Sequence, residues 1–307
     1  GWLCQSPYEW SQHARIAKAS AGMTDAEVRE IAEGRDAAGW SNIDRAVITM
    51  ADELRYDAMI SDRTWAELRK TYSDRQVMEL LFTSAQYQLV SMALNTLGIQ
   101  IEPSAVDFMP ADLPKPALAS RATGRRLSAP RIAPIEPTTP EQRALVAAQT
   151  RPDGTVLNLY KTMLNHPALY APRARFGSYL QRDSMLDPVT RELAIMRTSW
   201  NIGADYEWAH HVEYAKAAGF GDDDIARIAR GPSAAGWTPK QRAVLQAADE
   251  LRREAFVSDA TWNALAEHFS MKERIEIVYT VGGYTMTGLA INSFGIQVEP
   301  GYPAMPR

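Results

Sequence analysis

The chain has 307 residues, enough for one large or two ordinary domains, and its 46% hydrophobic content supports a packed core and excludes a disordered chain. A net charge of −4 gives no reason to expect a nucleic-acid partner, and Cys4, the only cysteine, excludes a disulfide framework, a Cys-x-x-Cys pair and a cysteine-based zinc site. No apolar run reaches membrane-spanning length and the start has no basic-then-apolar leader pattern, so the expectation is a soluble cytoplasmic protein without a membrane partner; the leading Gly1 suggests a trimmed or processed front.

From the front, the chain reads as helix after helix. Ser6-Pro7-Tyr8-Glu9 has the form of a capping box, with Ser6 as N-cap and Glu9 at N3. His13 follows Glu9 by four residues and so shares its helix face. Residues 1–103 match residues 199–300 almost throughout. Ala-Ala-Gly-Trp occurs at 37–40 and 234–237, Ala-Asp-Glu-Leu-Arg at 51–55 and 248–252, Ser-Asp-x-Thr-Trp at 61–65 and 258–262, and Gly-Ile-Gln-x-Glu-Pro closes both segments at 98–103 and 295–300. The offset is 198 residues as far as Lys18 and 197 beyond, with one residue inserted near Ser20. Matches of this length point to duplication of one structural unit.

Between the two copies, residues 102–140 hold eight of the eighteen prolines together with Arg121, Arg125, Arg126 and Arg131. Proline cannot continue a helix interior or a central strand, so this stretch reads as an extended surface linker. Its arginines are either solvated or grip a neighbouring acidic surface. Residues from about 141 to 198 read as helical and have no counterpart before Gly1, which makes residues 1–103 the back part of a unit whose front is missing. Asn165-His166-Pro167 marks a helix end. Asp187-Pro188 is a helix start with Asp as N-cap, and Val189, Leu193 and Met196 then fall on one face. Leu251, Phe256, Trp262, Leu265 and Phe269 continue the helical spacing, and the Gly295 region ends a helix. Alternating strand patterns are scarce; the predicted fold is an all-α bundle.

The residues with chemistry to offer cluster in the second copy. Glu207 and His211 in Asp205-Tyr206-Glu207-Trp208-Ala209-His210-His211 stand at i and i+4, and Glu192 lies fifteen residues before Glu207. A carboxylate beside an imidazole is what acid–base chemistry needs, and it favours the imidazolium. The competing reading of Glu207 is a first-turn carboxylate finishing a helix start, and that of Glu192 is an ion pair with Arg191 or Arg197. Arg197 is a candidate to bind a substrate carboxylate, or else a helix-packing ion pair. Trp200, Tyr206, Trp208 and His210 are candidate substrate-binding residues; ordinary core packing is the alternative for the aromatics, and a surface or interface place for His210. Glu192, Glu207 and His211 form a weaker metal pattern than His-Glu-x-x-His, and no phosphate loop is present, so neither metal nor cofactor is expected.

His166-Pro167-x-Leu169, Arg191-Glu192-Leu193 with Arg197, Tyr206-Glu207-Trp208-Ala209-His210-His211 and residues 215–219 resemble the carboxymuconolactone decarboxylase family, within the AhpD-like superfamily of alkylhydroperoxidases. The peroxidase branch carries Cys-x-x-Cys followed four residues later by His, with an upstream Glu. Here the two cysteine positions are Ala204 and Glu207, and Cys4 falls opposite Ile202, which removes a disulfide cycle. The decarboxylase-like branch keeps Glu and His four residues apart, as this chain does. The resemblance implies a duplicated AhpD-like helical bundle, cofactor-free chemistry and assembly into a trimer-type ring or, for a tandem chain, a dimer. It divides the chain into an incomplete unit at 1–103, a linker at 104–140 and a complete unit at 141–307. One competent site per chain is then expected, built on Glu192, Glu207 and His211, with Glu9 and His13 a degenerate copy. The expected activity is a decarboxylase, lyase or isomerase acting on a small carboxylated or lactone-type substrate. The alternatives are a non-catalytic assembly protein and a peroxide reductase.

Overall fold

The helices begin where the sequence supplies caps. In the computed structural model, which describes residues 1–118, 122 and 127–306, Ser or Thr side chains accept the N3 backbone N–H at the starts of α2 (Asp25–Glu33), α3 (Asn42–Tyr56), α4 (Asp62–Arg69) and α5 (Asp74–Thr96). Each such cap contributes about 1 kcal/mol to its helix. The expected box at the start of α1 (Pro7–Ala21) does not form: Ser6 is the N-cap, but its hydroxyl is buried without a partner and Glu9 points to His13 instead. Arg121, Arg125 and Arg126 lie outside the described residues. Arg131 does grip the body of the protein, donating to the carbonyls of Ile60 at 2.8 Å and Ser293 at 3.0 Å and pairing with Asp62.

After the Pro-rich stretch come α6 (Pro140–Val146), α7 (Asn158–Met163), α8 (Pro167–Ser178), α9 (Pro188–Asn201), α10 (Asp205–Ala217), α11 (Asp222–Arg230), α12 (Pro239–Glu254), α13 (Asp259–Ala266) and α14 (Met271–Phe294). All regular structure among the described residues is helical, so the architecture is all-α. Asp187 caps α9 as its sequence predicts, accepting from Thr190 N–H at 3.0 Å. Gly295 ends α14 in the left-handed region at φ 70°, a conformation open to glycine at little cost. His166 occupies the N-cap of α8 and bonds Glu79 at 2.6 Å.

The two longest helices, α5 and α14, form the centre. Phe82 meets Phe294 and Leu89 lies against Gly282, so the pair runs antiparallel. A Cβ at Gly282 would sit 2.8 Å from Leu89 Cγ, so glycine sets how closely these helices approach. Around this axis a set of hydrogen bonds recurs with the partners exchanged. Arg55 donates to Arg252 O at 2.9 Å and Arg252 to Arg55 O at 2.6 Å; Asn95 donates to Ala255 O at 3.2 Å and Asn292 to Ala58 O at 3.0 Å. Ile60 N–H meets Ser293 Oγ at 3.1 Å, and Val257 N–H meets Thr96 Oγ1 at 3.2 Å. Ala58 and Ala255 both have positive φ (56° and 51°), a strained state for alanine of roughly 1–2 kcal/mol, and each carbonyl is held by the asparagine of the opposite half. No described helix is long and apolar enough to cross a membrane.

Candidate active site

Two consecutive helices carry the acid–base groups. α9 leads into α10 through a tight turn at Gly203, whose φ of 58° favours glycine. Opposite this turn Gly288 of α14 leaves room: a Cβ there would approach Ala204 Cβ to 3.1 Å and collide with Ile202. The turn folds α10 back on α9, which sets Glu192 from the second turn of α9 against His211 of α10. His211 Nδ1 lies 2.6 Å from Glu192 Oε2, and His211 Nε2 lies 3.4 Å from Glu207 Oε2. Glu192 is 0% exposed, Glu207 5% and His211 4%, so the three charges interact with little screening by water. Arg191 Nε reaches the other Glu192 oxygen at 3.3 Å, so the ion pair expected as the alternative role of Glu192 coexists with its hold on His211.

Burial by itself would pull the His211 pKa down. The charge of Glu192 and its hydrogen bond, then Glu207, outweigh that and raise it to about 9, so the ring is an imidazolium at neutral pH. Tyr284 stands edge-on to the imidazole with centroids 5.0 Å apart. Burial, and then the charges of Glu207 and Glu192, push its phenol well above the usual range. Burial likewise carries Tyr160 up to about 12, with Glu207 adding to it. Both phenols therefore remain O–H donors at working pH.

These groups border a cavity of about 100 Å³, whose walls include Tyr160, Arg173, Tyr206, Glu207, His210, His211 and Tyr284. Glu192 is behind the imidazole and does not reach the wall; it orients and charges His211, while Glu207 and His211 face the space. Arg173, from α8, supplies a cation. Burial lowers its pKa, with Glu207 and Tyr284 acting in the opposite direction. No local sequence signal marks Arg173, Tyr160 or Tyr284; Arg173 sits six residues beyond Pro167, and only the packing of α8 brings it to the cavity.

Of the expected substrate-binding residues, the structure brings Tyr206 and His210 to the cavity and leaves three elsewhere. Arg197 is turned away: its guanidinium clamps Asp249 at 2.6 and 2.9 Å and donates to the carbonyls of Ile228 and Ala229. It is a buried packing pair and does not border the cavity. Trp208 is 1% exposed within the core on the other side of α10, and Trp200 packs against it at 5.8 Å. Both are core aromatics. His210 is buried, contrary to a surface placement, because Glu299 takes its Nε2 at 2.7 Å while Tyr206 and Tyr302 cover its faces at 4.4 and 4.0 Å. Glu299 also accepts from Asn158 N–H at 2.6 Å, so this cluster fastens the segment after α14 over the start of α7 beside the cavity.

Residues 167–250, from the start of α8 to the end of α12, match the model of the carboxymuconolactone decarboxylase family. Over this segment the chain is similar to that family. The matched stretch contains Arg173, Glu192, Glu207 and His211. Similar solved structures include an Agrobacterium tumefaciens protein of unknown function, described as a candidate antioxidant defence protein AhpD. It is 18% identical, with a TM-score of 0.41, and the match covers 45% of this chain and 94% of that one. The debrominase Bmp8 in its apo form is 15% identical, with a TM-score of 0.46, over 55% of this chain and 92% of that one. A cysteine-to-alanine variant of Bmp8 in complex with 2,3,4-tribromopyrrole is 16% identical, with a TM-score of 0.44, over 55% and 91%. No curated protein matches the chain.

Proposed function

We propose that this chain is a cofactor-independent acid–base enzyme, a decarboxylase, lyase or isomerase, acting on a small carboxylated or lactone-type substrate. The observation that carries the reading is an imidazolium held between two buried carboxylates at the edge of a cavity that also holds a guanidinium. Arg173 and the phenols of Tyr160 and Tyr284 suit a substrate carboxylate or an enolate oxygen. For a β-keto acid or a comparable lactone acid, the bond from carbon to carboxylate breaks. Carbon dioxide leaves, the electron pair passes into an enolate, and the His211 proton is delivered to carbon. Glu207 is placed to relay a proton from solvent back to the imidazole, and Glu192 keeps the ring charged. For an isomerisation, Glu207 removes one proton and His211 delivers another.

The cavity argues for this reading over a non-catalytic assembly protein, because a bundle kept only for packing has no use for a buried carboxylate and imidazole facing open space with a second carboxylate behind the ring. The exchanged hydrogen bonds about α5 and α14 support reading residues 1–103 and 199–300 as two copies of one unit, with the catalytic site in the second. The test is turnover of carboxymuconolactone-type and β-keto acid substrates by the wild type and by His211→Ala. The reading requires loss of turnover in the variant; equal rates would remove His211 from the mechanism.

A further inference from the structure

The second half does not wall the catalytic cavity alone. Phe82, from α5 of the first half, borders it and is 6% exposed. α5 and α14 run antiparallel, and Phe82 meets Phe294 with ring centroids 6.2 Å apart. Tyr284 stands against the imidazole, and Ala290, six residues further along α14 towards Phe294, also borders the cavity. Six residues of helix separate the two by about 9 Å along its axis. The imidazole therefore lies at one end of the space and the Phe82 ring at the other. Met163 and Ala290 share the apolar cluster of Phe82 and border the cavity with it.

Arg173 lies between the two ends. Phe176, three residues after it on α8, packs by Gly283, next to Tyr284. At the start of α8, His166 bonds Glu79, which stands three residues before Phe82 on α5. α8 thus spans the cavity from the imidazole end to the phenyl end. Matching glutamates of the two halves hold it there. Glu79 takes His166 at 2.6 Å, and Glu276, 197 residues later on α14, accepts from Ser184 Oγ at 2.6 Å and Met185 N–H at 2.7 Å beyond the far end of α8. A carboxylate paired with Arg173 would have His211 and Glu207 on one side and Phe82, Met163 and Ala290 on the other.

We propose that Phe82 is a specificity-determining residue supplied to the catalytic cavity by the first half, and that it limits the substrate to a carboxylic acid with a short apolar end. This rests on reading the cavity as the substrate site. The carboxylate meets Arg173, the reacting carbon faces His211, and the apolar end lies against the phenyl ring. At about 100 Å³ the cavity is smaller than the apolar space of about 150 Å³ that takes up benzene, so the apolar end is a few carbons long.

The experiment measures binding of straight-chain saturated acids, propanoate to octanoate, to the full chain by isothermal titration calorimetry. Wild type should bind butanoate and pentanoate and bind octanoate much more weakly. Phe82→Ala should bind hexanoate to octanoate about tenfold more tightly than wild type does and should lose affinity for butanoate; Phe82→Trp should weaken every acid longer than propanoate. Phe82→Leu should shift the series the same way by less, and it keeps the test open if the larger truncation unfolds the core; far-UV circular dichroism checks each variant. Tyr279 matches Phe82 in the second half, is 36% exposed and does not border this cavity, so Tyr279→Ala should leave the series unchanged. The same chain-length order in wild type, Phe82→Leu and Phe82→Trp would overturn the proposal, and so would a wild type that binds none of the acids. Turnover does not enter this readout. A chain-length shift in a protein that turns over no acid would keep the Phe82 wall and reject the acid–base chemistry, whereas turnover that needs His211 with no shift would do the reverse.

Discussion

His211 shares its two ring nitrogens between two carboxylates that are not equivalent: Glu192 holds Nδ1 at 2.6 Å from within the core, and Glu207 faces Nε2 at 3.4 Å from the cavity wall. One carboxylate fixes the ring and its charge; the other shares the space in which a proton can move. Replacing Glu192 by Gln keeps a hydrogen-bonding side chain and removes the charge. The imidazolium then loses its strongest support, so the alkaline limb of the activity profile should move to lower pH. Turnover at pH 8 should fall by about 10- to 100-fold with little change in KM. A pH–rate series on wild type and Glu192→Gln reads this directly.

Arg173 is one of two arginines bordering the cavity, the other being Arg182, which donates to the Ala148 carbonyl at 2.7 Å. Arg173→Gln should raise KM for a carboxylated substrate by roughly tenfold or more, and should matter much less for a neutral ester of the same compound. Steady-state kinetics on the acid and ester pair measure the difference.

His211 also couples stability to pH. Its folded-state pKa of about 9 lies above the unfolded value near 6.5, so the folded protein holds the extra proton between these limits. The stabilisation is complete below about pH 6.5 and is lost as pH rises through about 9. Melting temperature should fall across that window in the wild type, and the fall should be smaller in His211→Gln, as measured by differential scanning calorimetry.

The Arg197–Asp249 pair is structural. Arg197→Ala leaves a buried, unpaired Asp249 and should destabilise the fold by about 3–5 kcal/mol in urea unfolding, while kcat of the folded fraction stays near wild type. Replacing both partners with apolar residues of similar volume should recover most of the loss.

The sequence made the helical class and the Glu207–His211 pair legible because both rest on local spacing: caps, 3.6-residue periodicity and the i, i+4 relation. It also brought Glu192 into view, although its contact with His211 depends on the turn at Gly203 and the clearance at Gly288. What could not be read were choices made between distant segments. Nothing near Arg197 announces Asp249, 52 residues away, and a lone arginine on a helix fits a substrate clamp as well as a packing pair. Trp208 and Tyr206 are two residues apart on one helix, yet one faces the core and the other the cavity; that depends on what packs against α10. Arg173 needed the placement of α8, and the true partner of Glu9 proved to be His13 where a capping box was expected at Ser6.

The most direct test of the central claim is the protonation of His211 itself, followed by nitrogen-15 NMR of its ring against pH in the folded wild type. An imidazolium with both nitrogens protonated at pH 7.5, titrating near pH 9 and shifting down in Glu192→Gln, is the result the account predicts. A neutral ring at pH 7.5, unmoved by that substitution, would contradict it.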